Sequence, residues 1–519
     1  MKYFTHRIIV ASLLCGIMTV PATVMAQPSK SLSFLSKKNN CTAYSFNYPS
    51  ISASGDSTIL SSALFAWTPS DRVDTDSIES LHIYCHITLG ADRERPSTTT
   101  SASTEQTLLM SLPGREYKAY GSAEAANYVS RCIIIAPDYE GYGVSKDVPH
   151  PYLSEQVTAM QVADAVKYGL ELYRAAAADS ANLLSIKSDW RTFAIGFSQG
   201  GAVALATHKY IEQTGLDNML HFKGSMCCDG PYDLVSTIRY YYEDNGDSYG
   251  ITTAHTKGKV TMPVVMPLIL KGLYLTHPEL KSYTIEDFLS QQLIDTGVLD
   301  WIDSKQYSTD QIGSKWKQQL TNGINENGKS YTPEQMAGLF SIVNNAVWGN
   351  VEKMFTPAVN SYLSQQANFN SVPSQAANAQ ETLHRALVDN SLTTGWEPKH
   401  RILFFHSKGD MVVPYGNYLS FRDAHKEGEG NLYKLDDTFS TADHVTAGTT
   451  FCISMALSKT YSSYFNWLSQ DITTTEALSV QPEKKTTPDV WYDLLGHQLE
   501  GMPTQKGIYI YNNIKVVIP

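Results

Sequence analysis

The stretch Gly196-Phe197-Ser198-Gln199-Gly200 decides how the rest of this chain is interpreted. It follows a short β-like run at residues 192–195 and precedes small and apolar residues at 201–206. Glycines on either side of a serine allow a strand and a helix to approach closely around a strained turn. The pattern therefore predicts a strand, a sharp turn with Ser198 at its apex, and then a helix.

That turn has a chemical meaning. It would place Oγ of Ser198 above the sheet, near the positive end of the helix dipole. The backbone N–H of Gln199 would face the oxyanion that forms when a serine attacks a carbonyl carbon. A five-residue pattern also occurs by chance, so the remainder of the sequence has to support this interpretation.

The composition describes an ordinary globular protein. Of the 519 residues, 42% are hydrophobic and 18% are charged. A chain of this length can bury a large core and can hold more than one structural unit. The formal net charge of −11 argues against nucleic acid or an anionic membrane surface as a partner.

Residues 1–26 have the features of a secretory signal peptide. Lys2 and Arg7 precede an apolar run at residues 8–20, and Val24-Met25-Ala26 fits a small-residue cleavage site. An uncleaved anchor helix is the alternative, which Pro21 and the short apolar run disfavour. The sequence therefore predicts an exported protein: periplasmic, on the cell surface or extracellular.

The cysteine pattern predicts buried free thiols and no zinc site. Six cysteines lie beyond residue 26, and neither C-x-x-C nor H-E-x-x-H spacing occurs. One disulfide that involves Cys41, Cys227 or Cys228 remains open, because export permits disulfides. No cofactor and no metal is predicted.

Strand-like and helix-like patterns alternate through most of the chain. A hairpin is predicted at 42–67, further strands at 81–87, 131–136, 220–226 and 401–405, and a long helix at 154–178. Strands that alternate with helices predict an α/β fold with a mostly parallel central sheet flanked by helices. We assign residues 27–233 and 396–480 to this core.

Two segments depart from that alternation. Residues 234–395 have helical patterns with start signals at Thr284 and Thr332, which predicts a helical insertion that acts as a cap over the carboxyl ends of the strands. The alternative is a separate helical domain remote from the site. Residues 481–519 begin with a linker rich in proline, lysine and threonine and end in a small β unit.

A reactive serine needs a base, and the base needs an acid that orients it. Asp410 follows the strand predicted at 401–405, and His444 lies in a predicted loop before a helix at 449–457. The order Ser198, Asp410, His444 is the order of nucleophile, acid and base on strand-to-helix hydrolase scaffolds. Asp443 is the alternative acid, but residues adjacent in sequence rarely direct their side chains at each other.

With these residues in place, residues 44–457 resemble an α/β-hydrolase of the secreted esterase/lipase type. The resemblance includes Ala136-Pro137-Asp138-Tyr139, His150-Pro151-Tyr152-Leu153 and Gly230-Pro231-Tyr232-Asp233. It implies carboxylic ester hydrolysis through an acyl-serine, with Ser198 as nucleophile, His444 as base and Asp410 as acid. The last segment is similar to short β tails on exported proteins of the Bacteroidetes type.

The same resemblance implies a second oxyanion donor, the backbone N–H of Ile87 or Thr88, beside that of Gln199. Relatives have His-Gly where this chain has His86-Ile87-Thr88, a departure at the donor position. His86 is interpreted as a structural histidine, Asp138 as a residue that shapes a loop, and Cys227-Cys228 as core. A serine peptidase on the same fold is the alternative enzyme. A non-catalytic binding module would be expected to lack a triad residue.

Overall fold

A computed structural model describes residues 26–98, 104–117, 128–180, 182–243, 257–438, 440–457, 460–470, 472, 491–492, 498–499, 507–511 and 514–518. The chain divides into two compact units, Met1–Gln470 and Asp471–Pro519. The predicted signal peptide, apart from Ala26, and the linker at 481–490 lie outside the described residues. Within the described residues, no helix combines the length and apolar character that crossing a bilayer requires.

The strands, in chain order, are β1 (Ser33–Lys38), β2 (Cys41–Ile51), β3 (Ser57–Trp67), β4 (Ile78–Cys85), β5 (Glu116–Tyr117), β6 (Tyr128–Val129), β7 (Cys132–Pro137), β8 (Ile186–Phe197), β9 (Phe222–Cys228), β10 (Lys259–Val260), β11 (Ile324–Glu326), β12 (Lys329–Tyr331), β13 (Phe340–Val343), β14 (Ala346–Asn350), β15 (Arg401–Phe405), β16 (Tyr433–Asp436), β17 (Trp491–Tyr492), β18 (Gln498–Leu499), β19 (Gly507–Tyr511) and β20 (Ile514–Ile518).

The α-helices are α1 (Thr104–Ser111), α2 (Glu155–Asp179), α3 (Gln199–Gln213), α4 (Leu234–Tyr242), α5 (Val265–Thr276), α6 (Gln291–Ile294), α7 (Val298–Ser304), α8 (Thr309–Asn322), α9 (Pro333–Leu339), α10 (Val351–Met354), α11 (Pro357–Leu363), α12 (Ala379–Asp389), α13 (Gly416–Ala424), α14 (His444–Leu457) and α15 (Thr460–Ser469).

The first unit is built on a nine-stranded sheet in the order β1-β2-β3-β7-β4-β8-β9-β15-β16. The pairs β1–β2, β2–β3 and β3–β7 are antiparallel, and every later pair is parallel. Every residue of β7 and of β15 is buried, because helices cover both faces of a parallel sheet. The predicted mostly parallel sheet flanked by helices is confirmed.

Two buried apolar clusters form the core of this unit. One contains Val162, Val166 and Leu170 of α2 together with Leu205 of α3, and it continues into residues of the 234–395 insertion. The other contains residues of α1, α14 and α15, among them Leu108, Phe451 and Phe465. The sheet therefore has a separate core on each face, and the site residues lie at the carboxyl ends of its parallel strands.

Residues 234–395 contain helices α4 to α12, but they are not purely helical. Five short strands, β10 to β14, lie among these helices. Asn327-Gly328 forms the turn between β11 and β12, and Asn344-Asn345 forms the turn between β13 and β14. All four residues have positive φ. Two-residue turns of this kind match the twist of paired strands, and asparagine and glycine tolerate the left-handed conformation that they need. Thr284 starts only a three-residue 3₁₀ helix, whereas Thr332 starts α9 as predicted.

The second unit contains a four-stranded antiparallel sheet in the order β18-β17-β19-β20. Strands β19 and β20 pair along their full length, from Gly507 with Ile518 to Tyr511 with Ile514. The hairpin predicted at the end of the chain is present.

Candidate active site

Ser198 lies at the strained turn between β8 and α3. Its φ of 58° and ψ of −126° are unusual for a residue with a side chain, and its amide donates to the carbonyl oxygen of Cys228 at 2.9 Å. A Cβ on Gly196 would lie 2.1 Å from the carbonyl oxygen of Gly200, and one on Gly200 would lie 2.0 Å from that of Cys85. Both flanking glycines are therefore required by close backbone contacts.

Three side chains from distant parts of the sequence form one hydrogen-bonded chain. Nε2 of His444 lies 2.9 Å from Oγ of Ser198, and its Nδ1 lies 2.5 Å from Oδ2 of Asp410. The other carboxylate oxygen of Asp410 accepts the amides of Val412 and Val413, both at 2.8 Å. These contacts leave the carboxylate fixed and directed at the imidazole, which is the arrangement that activates a serine hydroxyl.

His444 is the first residue of α14, whereas the sequence predicted a loop there. Asp443 accepts the amide of Thr446 at 2.9 Å and so caps this helix. The ring of Phe197 packs on the imidazole of His444, with ring centroids 4.8 Å apart. Gly448, one turn further along α14, makes room for that ring, since a Cβ there would lie 2.2 Å from Phe197.

The environment of His444 favours its protonated form. Burial lowers its pKa, but the charge of Asp410, the hydrogen bond to it and the charges of Asp229 and Asp443 outweigh burial and raise the pKa above its usual value. An imidazole with a raised pKa is a stronger base toward Ser198.

The predicted oxyanion donors differ in their availability. Gln199 is the first residue of α3, and helix geometry leaves its N–H without an intrahelical acceptor. The amide of Ile87 donates to Oε1 of Glu105 at 3.1 Å, so the expectation that Ile87 is free to serve as a donor is wrong. The amide of Thr88 has no acceptor among the described residues, and its hydroxyl contacts the hydroxyl of Tyr152 at 2.8 Å.

Glu105, on α1, is a residue that sequence reasoning missed. It is buried, and it accepts the hydroxyl of Tyr84 at 2.9 Å as well as the amide of Ile87. Burial raises its pKa to about 7, although both hydrogen bonds favour the carboxylate. No pattern at residues 104–111 marked it, because its importance depends on a partner 18 positions away.

His150 is a second residue whose role the sequence did not reveal, since its motif only contributed to the family resemblance. Its Nδ1 lies 2.8 Å from the carbonyl oxygen of Glu140, and its Nε2 lies 2.8 Å from Nε2 of Gln199. A carbonyl oxygen can only accept, so Nδ1 carries the proton and Nε2 accepts from the Gln199 amide group. Burial lowers the pKa of His150 to about 3, which keeps the ring neutral.

Asp138 and His86 are placed as structural residues. The Asp138 carboxylate accepts the hydroxyls of Ser61 at 2.6 Å and of Ser97 at 2.5 Å, and it also accepts the Ser97 amide at 2.9 Å. His86 stacks on Tyr139 with centroids 3.8 Å apart, and burial lowers its pKa to about 4. These contacts fix the loop that follows β7.

The six cysteines of the described chain, Cys41, Cys85, Cys132, Cys227, Cys228 and Cys452, are buried and free, as predicted. Burial raises the pKa of the Cys227 thiol to about 12, so it does not form the thiolate that nucleophilic attack requires.

Two groups of side chains in the described residues have a spacing that could hold a cation: His208, Glu212 and His400, and Asp229, His406 and Asp410. In the first group, Oε1 of Glu212 lies 2.9 Å from His208 and 2.8 Å from His400, and it also accepts the amide of His400 at 2.8 Å. Hydrogen bonds therefore account for this convergence. In the second group, Asp410 is engaged with His444.

Residues of the insertion contact the loop that carries Asp410. The hydroxyl of Tyr241 donates to the carbonyl oxygen of Val412 at 2.5 Å, and that of Thr261 donates to the carbonyl oxygen of Met411 at 3.1 Å.

The insertion also contacts the loop that follows β7. Lys305 donates from Nζ to the carbonyl oxygen of Lys146 at 2.7 Å, and burial lowers the pKa of Lys305 to about 8. Four aromatic residues of the insertion, Tyr240, Tyr241, Tyr242 and Trp301, are buried, and Trp348 is half-buried.

The sequence matches no protein-family model and no curated protein. Solved structures with the same fold exist at low identity. A ligand-bound form of the rice cell wall degrading esterase LipA from Xanthomonas oryzae is 17% identical, with a TM-score of 0.55 over 82% of this chain and 97% of that one. A proposed hydrolase from Legionella pneumophila is 16% identical, with a TM-score of 0.53 over 84% of this chain and 91% of that one. Together with the sheet order, these likenesses confirm the predicted α/β-hydrolase fold.

Proposed function

We propose that this protein is an exported serine hydrolase that cleaves carboxylic esters. The observation that carries the proposal is the hydrogen-bonded chain from Ser198 through His444 to Asp410 at the end of the central strands. The esterase fold of LipA from Xanthomonas oryzae supports the choice of esters over other acyl substrates. The apolar run near the amino terminus supports export to the periplasm, the cell surface or the medium.

In the proposed reaction, Oγ of Ser198 attacks the ester carbonyl carbon while Nε2 of His444 takes its proton. The oxyanion is stabilised by the amide of Gln199 and by that of Thr88, which replaces Ile87 in this role because Glu105 holds the Ile87 amide. The tetrahedral species collapses to an acyl-serine, and the alcohol leaves with the proton from His444. Water then attacks the acyl-serine by the same steps and releases the acid.

We propose further that residues 234–395 bound the substrate pocket as a cap. A small recess with a free volume of about 20 Å³, enough for about one water molecule, lies between the core and the insertion, lined in part by Leu89, His150, Leu268 and Ile302. Ser198 does not line this recess, but His150 connects it to Gln199, the residue after the nucleophile. Each enclosed methylene of an acyl chain contributes about 0.8 kcal/mol until a bounded pocket is full, so efficiency should peak at short to medium chains.

The test is labelling with a fluorophosphonate probe, followed by hydrolysis of p-nitrophenyl esters from acetate to palmitate and of aminoacyl anilides. We expect Ser198-dependent labelling, ester hydrolysis that declines before palmitate, and negligible anilide cleavage. Ser198→Ala and His444→Ala should each lower kcat by at least about 1,000-fold. Ester hydrolysis that survives Ser198→Ala would contradict the proposal, and anilide cleavage above ester cleavage would favour a peptidase.

A further inference from the structure

The carboxylate of Asp410 is held by the turn that follows it. The amides of Val412 and Val413 both donate to Oδ1 at 2.8 Å, whereas Oδ2 faces Nδ1 of His444. Asp410 is buried, so these donors stabilise its ionised form and set its direction. Whatever fixes the two amides therefore also fixes the acid of the proposed triad.

Two side chains of the insertion hold the opposite ends of the same two peptide units. The amide of Val412 shares a peptide with the carbonyl of Met411, whose oxygen accepts the hydroxyl of Thr261 at 3.1 Å. The amide of Val413 shares a peptide with the carbonyl of Val412, whose oxygen accepts the hydroxyl of Tyr241 at 2.5 Å. Because a peptide unit is planar, a donor that fixes its oxygen also fixes the direction of its N–H. Each hydroxyl therefore acts on the carboxylate through one rigid peptide.

The two hydroxyl groups are themselves held in place. Tyr241 is buried on α4, and Thr261 directly follows β10, which pairs with β14. The carbonyl oxygen of Tyr241 accepts the amide of Gly258 at 2.8 Å, which joins α4 to the segment that leads to Thr261. Asp233 caps the start of α4, and its amide donates to Asn417 of α13 at 2.8 Å. The two donors thus belong to one connected part of the insertion that is also bonded to the core.

The bonds at the two ends of each peptide strengthen each other. A hydroxyl that donates to a carbonyl oxygen polarises the peptide, and its N–H then becomes a better donor. The acceptor of both N–H groups is a carboxylate, and such charge-assisted bonds are the stronger ones. The chain of bonds from each hydroxyl therefore ends on the charge that orients His444.

We propose that Tyr241 and Thr261 are positioning residues for the Asp410 carboxylate, so that the insertion supports the proposed triad through the backbone of the 411–413 turn. Neither hydroxyl takes part in proton transfer. The proposal rests on the proposed hydrolase function, since Asp410 is the acid of that reaction. Removal of either hydroxyl should loosen the carboxylate without changing how the substrate binds.

The experiment measures kcat and KM for p-nitrophenyl butyrate with the full chain carrying Tyr241→Phe or Thr261→Val, each alone and together with Asp410→Asn. Alone, Tyr241→Phe should lower kcat about tenfold and Thr261→Val by less, with little change in KM, since small displacements of a catalytic group are costly. A neutral amide cannot stabilise the imidazolium, so in the Asp410→Asn background each change should cost less than about twofold.

Tyr274→Phe is the matched control. The hydroxyl of Tyr274, on α5, also donates to a backbone carbonyl oxygen of the insertion, that of Tyr283, which is not part of the 411–413 turn. This variant should keep kcat within about twofold of the wild-type value. If Tyr241→Phe does not fold, as judged by circular dichroism, Thr261→Val decides the question.

A pH profile separates positioning of the acid from a general loss of structure. Burial lowers the pKa of His444, and the charges of Asp410, Asp229 and Asp443 that face it raise this pKa, with the largest contribution from Asp410. A carboxylate that is held less firmly raises the pKa less. The acid limb of kcat/KM should therefore move to lower pH in Tyr241→Phe and stay in place in Tyr274→Phe.

The outcomes are distinguishable. A loss of kcat confined to the chain that retains Asp410, together with the shifted acid limb, supports the positioning role. Ser198-dependent ester hydrolysis in which Tyr241→Phe loses no more than Tyr274→Phe, or loses as much in the Asp410→Asn background, would overturn the positioning role alone. A wild-type protein without ester hydrolysis would overturn the proposed function and the positioning role with it.

Discussion

Two neighbouring strand ends supply the amides around Ser198, and they are built in different ways. At the end of β8, Gly196 and Gly200 lie so close to each other and to the backbone of β4 that neither has room for a side chain, and the sequence displays this requirement as two glycines. Just after β4, the amide of Ile87 was expected to face the site as that of Gln199 does, but it donates its hydrogen bond to Glu105 of α1. The residues of a motif therefore indicate where the backbone has no room for a side chain. Whether an amide is free to bind an oxyanion depends instead on side chains from other parts of the chain.

The strongest test of this contrast is Gly200→Ala. The new Cβ would overlap the carbonyl oxygen of Cys85 at 2.0 Å, and backbone cannot give way as a flexible side chain can. We expect a loss of about 3 kcal/mol in the free energy of unfolding and at least about 100-fold in kcat/KM, since small displacements of a nucleophile are costly. Urea unfolding and ester hydrolysis measure the two effects.

Gly313→Ala is the matched control. Gly313 lies within α8, and a Cβ there would meet nothing within 4 Å. Alanine in an open helical position should raise the free energy of unfolding by about 0.5–1 kcal/mol. If Gly200→Ala behaved like Gly313→Ala, the steric account of the β8 end would be wrong.

Glu155, a buried residue of α2, provides a comparison with Glu105. Both of its carboxylate oxygens are buried and have no hydrogen-bond partner among the described residues, and burial raises its pKa to about 8. The folded state then binds more protons than the unfolded state between about pH 4.5 and 8, so the free energy of unfolding falls as pH rises through that window.

Glu155→Gln should remove this fall. We expect stabilisation by several kcal/mol, at most about 5, at pH 9, and little change near pH 4.5. Urea unfolding across this pH range is the measurement. Parallel stability curves for the variant and the wild-type protein would contradict the assignment.

Glu105→Gln should have a smaller effect of the same sign, because Glu105 has two donors and a pKa of about 7. The fall in stability that it removes extends from about pH 4.5 to 7 and amounts to at most about 3 kcal/mol. Glutamine can still accept the Ile87 amide, so kcat/KM should change by less than tenfold. A larger stabilisation by Glu105→Gln than by Glu155→Gln would mean that the donors do not explain the difference.

The smallest effect is expected from the second unit, which contains none of the residues at either strand end. Truncation after Glu483 removes β17 to β20 and should leave the specific activity of purified protein within about twofold of the full chain. An inactive but folded truncated chain, judged by circular dichroism, would contradict this division of roles.

The parts of the fold that the sequence predicted are those with local signals. The buried run of β7, the 3.6-residue periodicity of α2 and the glycines around Ser198 each reflect the sterics or burial of their own residues. Asn327-Gly328 is likewise a local hairpin signal, and it forms the turn between β11 and β12 within the insertion.

Most of the parts that were missed depend on tertiary partners, and the start of α14 is the exception. The helical start at His444 is fixed by the Asp443 cap, which the sequence contains but which did not distinguish a helix start at 444 from one at 449. Glu105 matters because of what folding brings beside it, the amide of Ile87. Burial of a carboxyl group next to a specific atom has no periodicity or spacing that a single sequence displays.

The separation of 246 residues between Ser198 and His444 has a consequence during synthesis. A ribosome completes the strained turn long before it reaches the imidazole, and α14 must emerge before Nε2 can meet Oγ. A nascent chain therefore carries a serine without a base until 246 further residues have been made. The order of the polypeptide thus delays the assembly of the proposed active site until long after its nucleophile has been made.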